Sequence, residues 1–155
     1  MKKTIMILGY VFLALLVVIA ATIGSLAILG KKLDKESKAF VDAAVPAIVS
    51  EWDVTELQRR ASPELDESVD YDDVEEYFAS LKQLGKFQEY KGSSGDSNIT
   101  ISLSGYEITA DYTASADFEA GSVELQISLI RHGSQWQILD FKVSPEEFTQ
   151  RNDVI

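Results

Sequence analysis

Few side chains in this 155-residue chain are placed to do acid–base chemistry. Its one histidine, His132, is followed by Gly133-Ser134, a turn sequence that puts the imidazole at an exposed tip. Asp111 and Asp117 alternate with apolar neighbours and belong to the polar face of their strand. Asp140 shares parity with Trp136 and Ile138, so it is the one acid able to face inward, where burial tunes a carboxylate as a general base. A phase slip between Ile138 and Leu139 signals a bulge and leaves that direction open. Tyr77 and Tyr112 carry phenols able to bond a ligand, although aromatics at those spacings also build cores.

Glu64, Asp66, Glu67, Asp70, Asp72, Asp73, Glu75 and Glu76 follow one another with no base between them. They lack the alternating ligands, central glycine and closing glutamate of an EF-hand loop. Carboxylates in the first turn of a helix, favoured by its dipole, are the expectation instead. No metal triad, no nucleophile beside a base and no phosphate-binding glycine loop occurs, so no catalytic, cofactor-binding or metal residue is assigned and no cofactor is expected. The absence of cysteine excludes disulfides, thiolate metal sites, a cysteine nucleophile and a lipid-modified N-terminal Cys. Asn98-Ile99-Thr100 has the letters of a glycosylation sequon, a match expected by chance.

Thr4 to Gly30 contains no charged residue. As a helix this run is ~40 Å long against a hydrocarbon core of ~30 Å, enough to span with some tilt. Met1-Lys2-Lys3 flanks one end; Lys31, Lys32, Lys35 and Lys38 flank the other. A secretory signal is the alternative, with small residues at Ser25 and Ala27 for a cut after Ala27, but its apolar region is usually far shorter. The lysine count slightly favours an internal domain, yet long domains translocate largely regardless of charge. The expectation is an uncleaved signal anchor, residues 1–32, with the domain outside. A single anchor on a cysteine-free acidic domain resembles a bacterial envelope protein of the inner (cytoplasmic) membrane, with the domain periplasmic. Ala20/Gly24 and Ala21/Ser25 have the small-xxx-small spacing of close helix pairs, which leaves the oligomeric state open.

From Leu33 onward the chain holds all 25 acids and 10 of the 14 bases, a net charge of −15. Such a domain is a poor nucleic-acid binder and should stand off an anionic membrane surface. Its first part reads as helical. Leu33, Ser37, Phe40, Val41, Ala44, Val45, Ile48, Val49 and Trp52 make one stripe, with Pro46 expected to kink the helix and Gly30 a junction with the anchor. Asp53-Val54-Thr55-Glu56 predicts an N-cap with a capping-box glutamate and a short helix stopping before Pro63. Leu65 is expected under the following loop. Val74, Tyr77, Phe78, Leu81 and Leu84 predict a helix over Asp72–Leu84, with Gly85 beyond its end.

The period then changes to two. Strands are expected at Phe87–Lys91, Ile99–Leu103, Ile108–Phe118, Val123–Leu129 and Trp136–Val143, with Gly92-Ser93-Ser94-Gly95-Asp96 a turn. Ala110, Ala114 and Ala116 leave space on the dry face for a pocket or a closely packed helix. Ser144-Pro145-Glu146-Glu147 predicts a last turn of helix. Helices followed by antiparallel strands give an α+β fold, with the helices packed on a curved four- to five-stranded sheet over residues 33–148 and a tail at 149–155.

The helix ending Val49-Ser50-Glu51-Trp52-Asp53, the helix Asp72–Leu84 and the closing hairpin Gly133-Ser134-Gln135-Trp136-Gln137-Ile138 together resemble the nuclear transport factor two-like (cystatin-like) superfamily. The resemblance implies helices packed into the concave face of a cone-like antiparallel sheet. Its enzymes place Asp, His or Tyr inside the cone, which would give Asp140 with a tyrosine a dehydratase- or isomerase-like role. Architecture does not fix chemistry. The leading expectation is a membrane-tethered, non-enzymatic envelope domain that binds a protein partner or a small apolar ligand. A third arrangement, a long apolar helix entering an antiparallel sheet, is similar to a type IV pilin-like subunit, with Gly9-Tyr10 as leader junction but Ala14 where that plan has a glutamate.

Overall fold

A computed structural model describes residues 2–145. The fold is α+β: a long N-terminal apolar helix, further helices and a curved, open antiparallel sheet of four strands. The chain divides into two units after Leu33.

The first unit is the apolar part of helix α1 (Lys2–Val49). This helix is long and apolar enough to cross a membrane. Its large side chains from Tyr10 to Phe12, Leu15 to Ile19 and Ile23 are exposed.

In the second unit α1 continues as far as Val49, unbroken at Pro46. Val41, Ala44, Val45, Ile48 and Val49 form its buried stripe. The helix closes by a Schellman-type turn: the Asp53 N–H donates to Ile48 O at 2.9 Å, and Trp52, at the position glycine usually takes, has φ +49°. That left-handed conformation costs a non-glycine residue ~1–2 kcal/mol. Packing holds it there: the Trp52 ring stacks on Phe118 at 5.3 Å and meets the edge of Phe78 at 5.4 Å.

Helix α2 (Val54–Arg60) starts on Asp53, whose carboxylate accepts from the Thr55 N–H. The expected capping-box partner Glu56 instead turns to Arg59 and Arg60, because charge-assisted pairing is the stronger interaction. Pro63 does not open a loop but sits at the first position of helix α3 (Pro63–Ser68), capped by Ser62, which buries Leu65. Proline fits a first turn, since its missing N–H would have no helical partner there. Helix α4 (Tyr71–Leu81) is capped by Asp70 and ends in a 3-10 turn, Lys82–Leu84, closed by Gly85 at φ +80°. The acids at 70–73 thus do lie at a helix start.

The sheet is a meander in the order β1 (Phe87–Ser102), β2 (Gly105–Phe118), β3 (Gly121–His132), β4 (Gln135–Pro145). The turn expected at Gly92–Asp96 is absent: β1 is one strand, with bulged extra residues at Gln88 and Lys91. The expected strands at 87–91 and 99–103 are its two ends. A third bulge lies at Leu139, because Ile138 opposes Leu129 while Asp140 opposes Ser128. Ser144 and Pro145 end β4; the helical turn expected after them and the tail at 149–155 lie outside the described residues. Inner-face residues Ala110, Tyr112, Ala114, Ala116, Val123, Leu125, Ile127 and Leu129 are buried, and α1 reaches this face through Ser37 and Asp42.

Candidate functional site

The candidate residues of the second unit lie in a seam between α1 and β1 and around a small, mainly apolar cavity below β4. The seam comes from helical spacing. Asp34, Lys38 and Asp42 stand one turn apart along α1 and share a face. Opposite them, the inner face of β1 presents Tyr90, Ser93 and Ser97, each across from a buried alanine of β2. Both Tyr90 and Ser93 face inward because the bulge at Lys91 takes up one residue between them.

Asp42 Oδ1 accepts from Tyr90 Oη at 2.8 Å and from Ser93 Oγ at 2.6 Å; its other oxygen accepts from Lys38 Nζ at 2.8 Å. Burial acts to raise the Asp42 pKa, but the hydrogen bonds from Lys38, Ser93 and Tyr90 together outweigh it and hold the group below its ordinary value. Tyr90 is pushed up by its own burial and by the Asp42 carboxylate, so it stays a donor. Further along, the Ser97 N–H and hydroxyl both donate to Asp34 Oδ1. Ser37 and Tyr112 share a buried hydrogen bond of 2.8 Å, and burial raises the Tyr112 pKa. Every one of these groups is satisfied by another within the fold, so the seam fastens helix to strand.

The cavity holds about 90 Å³ and is lined by Leu57, Leu65, Val74, Tyr71, Tyr77, Phe78, Phe141 and Val143, with Asp140 at its wall. That is room for about three waters, well below the ~300 Å³ of small ligand pockets. The tyrosine hydroxyls are engaged elsewhere: Tyr77 donates to Val143 O at 3.1 Å and Tyr71 to Asp66. The bulge at Leu139 settles the direction of Asp140. With one residue taken up there, Phe141 opposes buried Ile127 and Asp140 opposes Ser128 on the polar face. Its carboxylate pairs with Lys142 on that same face. Asp140 is therefore a lining residue whose charge lies on the polar face, outside the cavity.

His132 is exposed and pairs with Glu64 at 3.0 Å. Glu64 is held below its ordinary pKa by a hydrogen bond from its own backbone N–H, assisted by Ser62 and His132, against a smaller burial effect. Asp111 accepts from Ser128 at 2.6 Å and Asp117 from Ser122 at 2.7 Å, both on the polar face as the alternation requires. Among the described residues no three acids or histidines converge on a metal position. The sequence reading missed the seam, although the i, i+4, i+8 spacing of Asp34, Lys38 and Asp42 was there to be found.

No protein-family model, curated protein or solved structure matches the chain.

Proposed function

We propose that this chain is a single-pass envelope protein of a bacterial inner membrane, whose extracytoplasmic domain is a binding module and not an enzyme. The observation that supports the tether is the helix from Gly9 onward, whose apolar window has none of its residues buried by the rest of the chain. Lipid is the environment that such a surface fits. The binding role is supported by the commitments of the ionisable groups. Asp42, Asp34, Asp140 and His132 each hold a structural partner, and the apolar cavity that Asp140 borders is too small for a substrate of metabolite size. A protein partner fits this domain better than a small apolar ligand, because the apolar cavity is small and the larger cleft, lined by Glu51, Asp53, Tyr71, Asp72, Glu75 and Lys82, is open and polar. The resemblance to the nuclear transport factor two-like superfamily belongs to this proposal and draws on helices preceding an antiparallel sheet.

The tethered-enzyme reading draws on Asp140 and Tyr77 bordering one cavity. It needs the carboxylate inside, whereas the strand register directs it outward.

The chain lacks cysteine, so a single Gly133→Cys variant at the β3–β4 turn reports the domain's side. Labelling of intact cells by a membrane-impermeant maleimide is the expected result. Labelling only after the inner membrane is permeabilised would place the domain in the cytoplasm and overturn the envelope reading.

A further inference from the structure

Acids far outnumber bases in the second unit, and most of its bases are committed to them. Among the described residues from Asp34 onward, Lys38, Arg59, Arg60, Lys91, Arg131 and Lys142 each pair with a carboxylate. Lys35, Lys82 and Lys86 make no such pair there. Two of these three free cations share one place. Lys82 and Lys86 both line an open cleft of about 640 Å³, with Ser50, Glu51, Trp52, Phe87 and Glu119 among its other residues. It adjoins the acidic cleft described above, with which it shares Glu51, Trp52 and Lys82.

The lysines flank a corner that the fold holds fixed. Chain leaves α4 through the 3-10 turn and enters β1 at Phe87, with Gly85 between the two lysines. The Lys86 N–H donates to Glu119 Oε2 at 2.9 Å, the Glu119 N–H to Lys86 O at 3.1 Å and the Ala120 N–H to Leu84 O at 2.9 Å. A Cβ on Gly85 would lie 2.5 Å from Glu119 Oε2, so glycine is what leaves that carboxylate its seat. Glu119 is thus committed to the backbone, and Glu51 is the other acid on the wall. Trp52 adds a third donor. It is 3% exposed, and its Nε1–H is buried with no hydrogen-bond partner among the described residues. Phe118 and Phe78 clamp the ring, so the indole is not free to turn in search of an acceptor. An unmet buried donor costs ~1–3 kcal/mol.

We infer that the cleft at Lys82, Lys86 and Trp52 binds a carboxylate-bearing segment of a protein partner. The inference rests on the binding-module reading and names the chemistry that the module recognises. Two ammonium groups and an indole N–H are donors only, and a carboxylate is an acceptor only, so the two sets match. Trp52 and Phe87 give the same wall an apolar surface, which suits a segment that sets leucine or an aromatic beside its acids. An open cleft leaves a small anion largely in water, whereas an extended segment lays several carboxylates along the lysines at once. The acids elsewhere on the unit repel such a segment, which confines it to this corner.

The test uses the full chain in detergent and three short fluorescent peptides in which leucine alternates with glutamate, glutamine or lysine. Binding is read by anisotropy, and contact with Trp52 by the indole N–H resonances of the nitrogen-15-labelled chain, assigned by comparison with Trp136→Phe. The expected result is binding of the glutamate peptide with a shift of the Trp52 indole resonance. In a Lys82→Gln/Lys86→Gln chain that binding should weaken by about tenfold or more. Both lysines are exposed, so the double variant keeps the fold. Equal binding of the glutamine peptide, or unchanged binding by the double variant, would overturn the inference. A preference for the lysine peptide would overturn it too, yet leave the domain a binding module with a basic partner. Binding of none of the three would remove the acidic partner and the peptide-binding role together.

Discussion

The Ser97 N–H donates to Asp34 Oδ1 at 2.8 Å, joining a strand residue to the first residue of the second unit. This bond and the Asp42–Ser93 bond of 2.6 Å, one at each end of the stretch of α1 from Asp34 to Asp42, hold β1 along the helix. A serine- and glycine-rich segment that resembles a turn in composition is thereby kept extended. Its hydroxyls are paired with carboxylates of α1 in place of water.

Replacement of Asp42 by alanine removes three hydrogen bonds and leaves the half-buried Tyr90 hydroxyl without its acceptor. The expected cost is ~1–3 kcal/mol, from the loss of satisfied partners. Urea unfolding of the full chain in detergent, followed by tryptophan emission, measures it; both Trp52 and Trp136 are buried and report the loss of packing.

The same residue carries a pH signature. Its folded pKa lies below the ordinary 3.8, so its contribution is fully present above that value and is lost as pH falls through the folded pKa. Unfolding free energy should decline more steeply as pH falls below about 4 in the native chain than in Asp42→Asn. Equal slopes would mean that Asp42 gains nothing from its partners.

Gly95 and Gly92 should respond differently to alanine. At Gly95 a Cβ would lie 1.9 Å from Asp111 O and 2.8 Å from Tyr112 Cα, both backbone atoms of the neighbouring strand. Overpacking of this kind costs ~3 kcal/mol or more. At Gly92 a Cβ meets nothing, and only the φ of +101° opposes it, at ~1–2 kcal/mol. Parallel denaturation of Gly95→Ala and Gly92→Ala checks the order.

Deletion of Leu139 tests the bulge. Removing one residue there restores strict alternation, which turns Asp140 inward and Phe141 outward if the strand keeps its pairing beyond that point. The deletion should destabilise by several times the effect of Asp140→Asn, which at a half-exposed ion pair should shift stability by less than ~1 kcal/mol. Comparable effects of the two would contradict the outward carboxylate.

Strong period-two runs made β2 and β3 legible in the sequence, and the slip at Ile138–Leu139 showed as a bulge. What the slip did to Asp140 was not legible, because a bulge reverses parity only once the partner residue, Ser128, is known. Segment 92–96 was misread for a tertiary reason: it pairs with Asp111–Ser115 of β2, and Ser93 bonds to Asp42, 51 residues away in the chain. The short helix does stop before Pro63, but the helix that Pro63 opens went unread, although Ser62-Pro63-Glu64 carries the same helix-start letters as Ser144-Pro145-Glu146. The long uncharged run was plain from composition alone.

Intact mass of the chain recovered from alkali-washed membranes tests the central claim most directly. A retained anchor predicts an integral-membrane pellet containing the whole 17.1 kDa chain. A soluble product shortened after Ala27 would contradict it in favour of a cleaved signal, and a membrane-bound product beginning at Tyr10 would contradict it in favour of a pilin-like subunit.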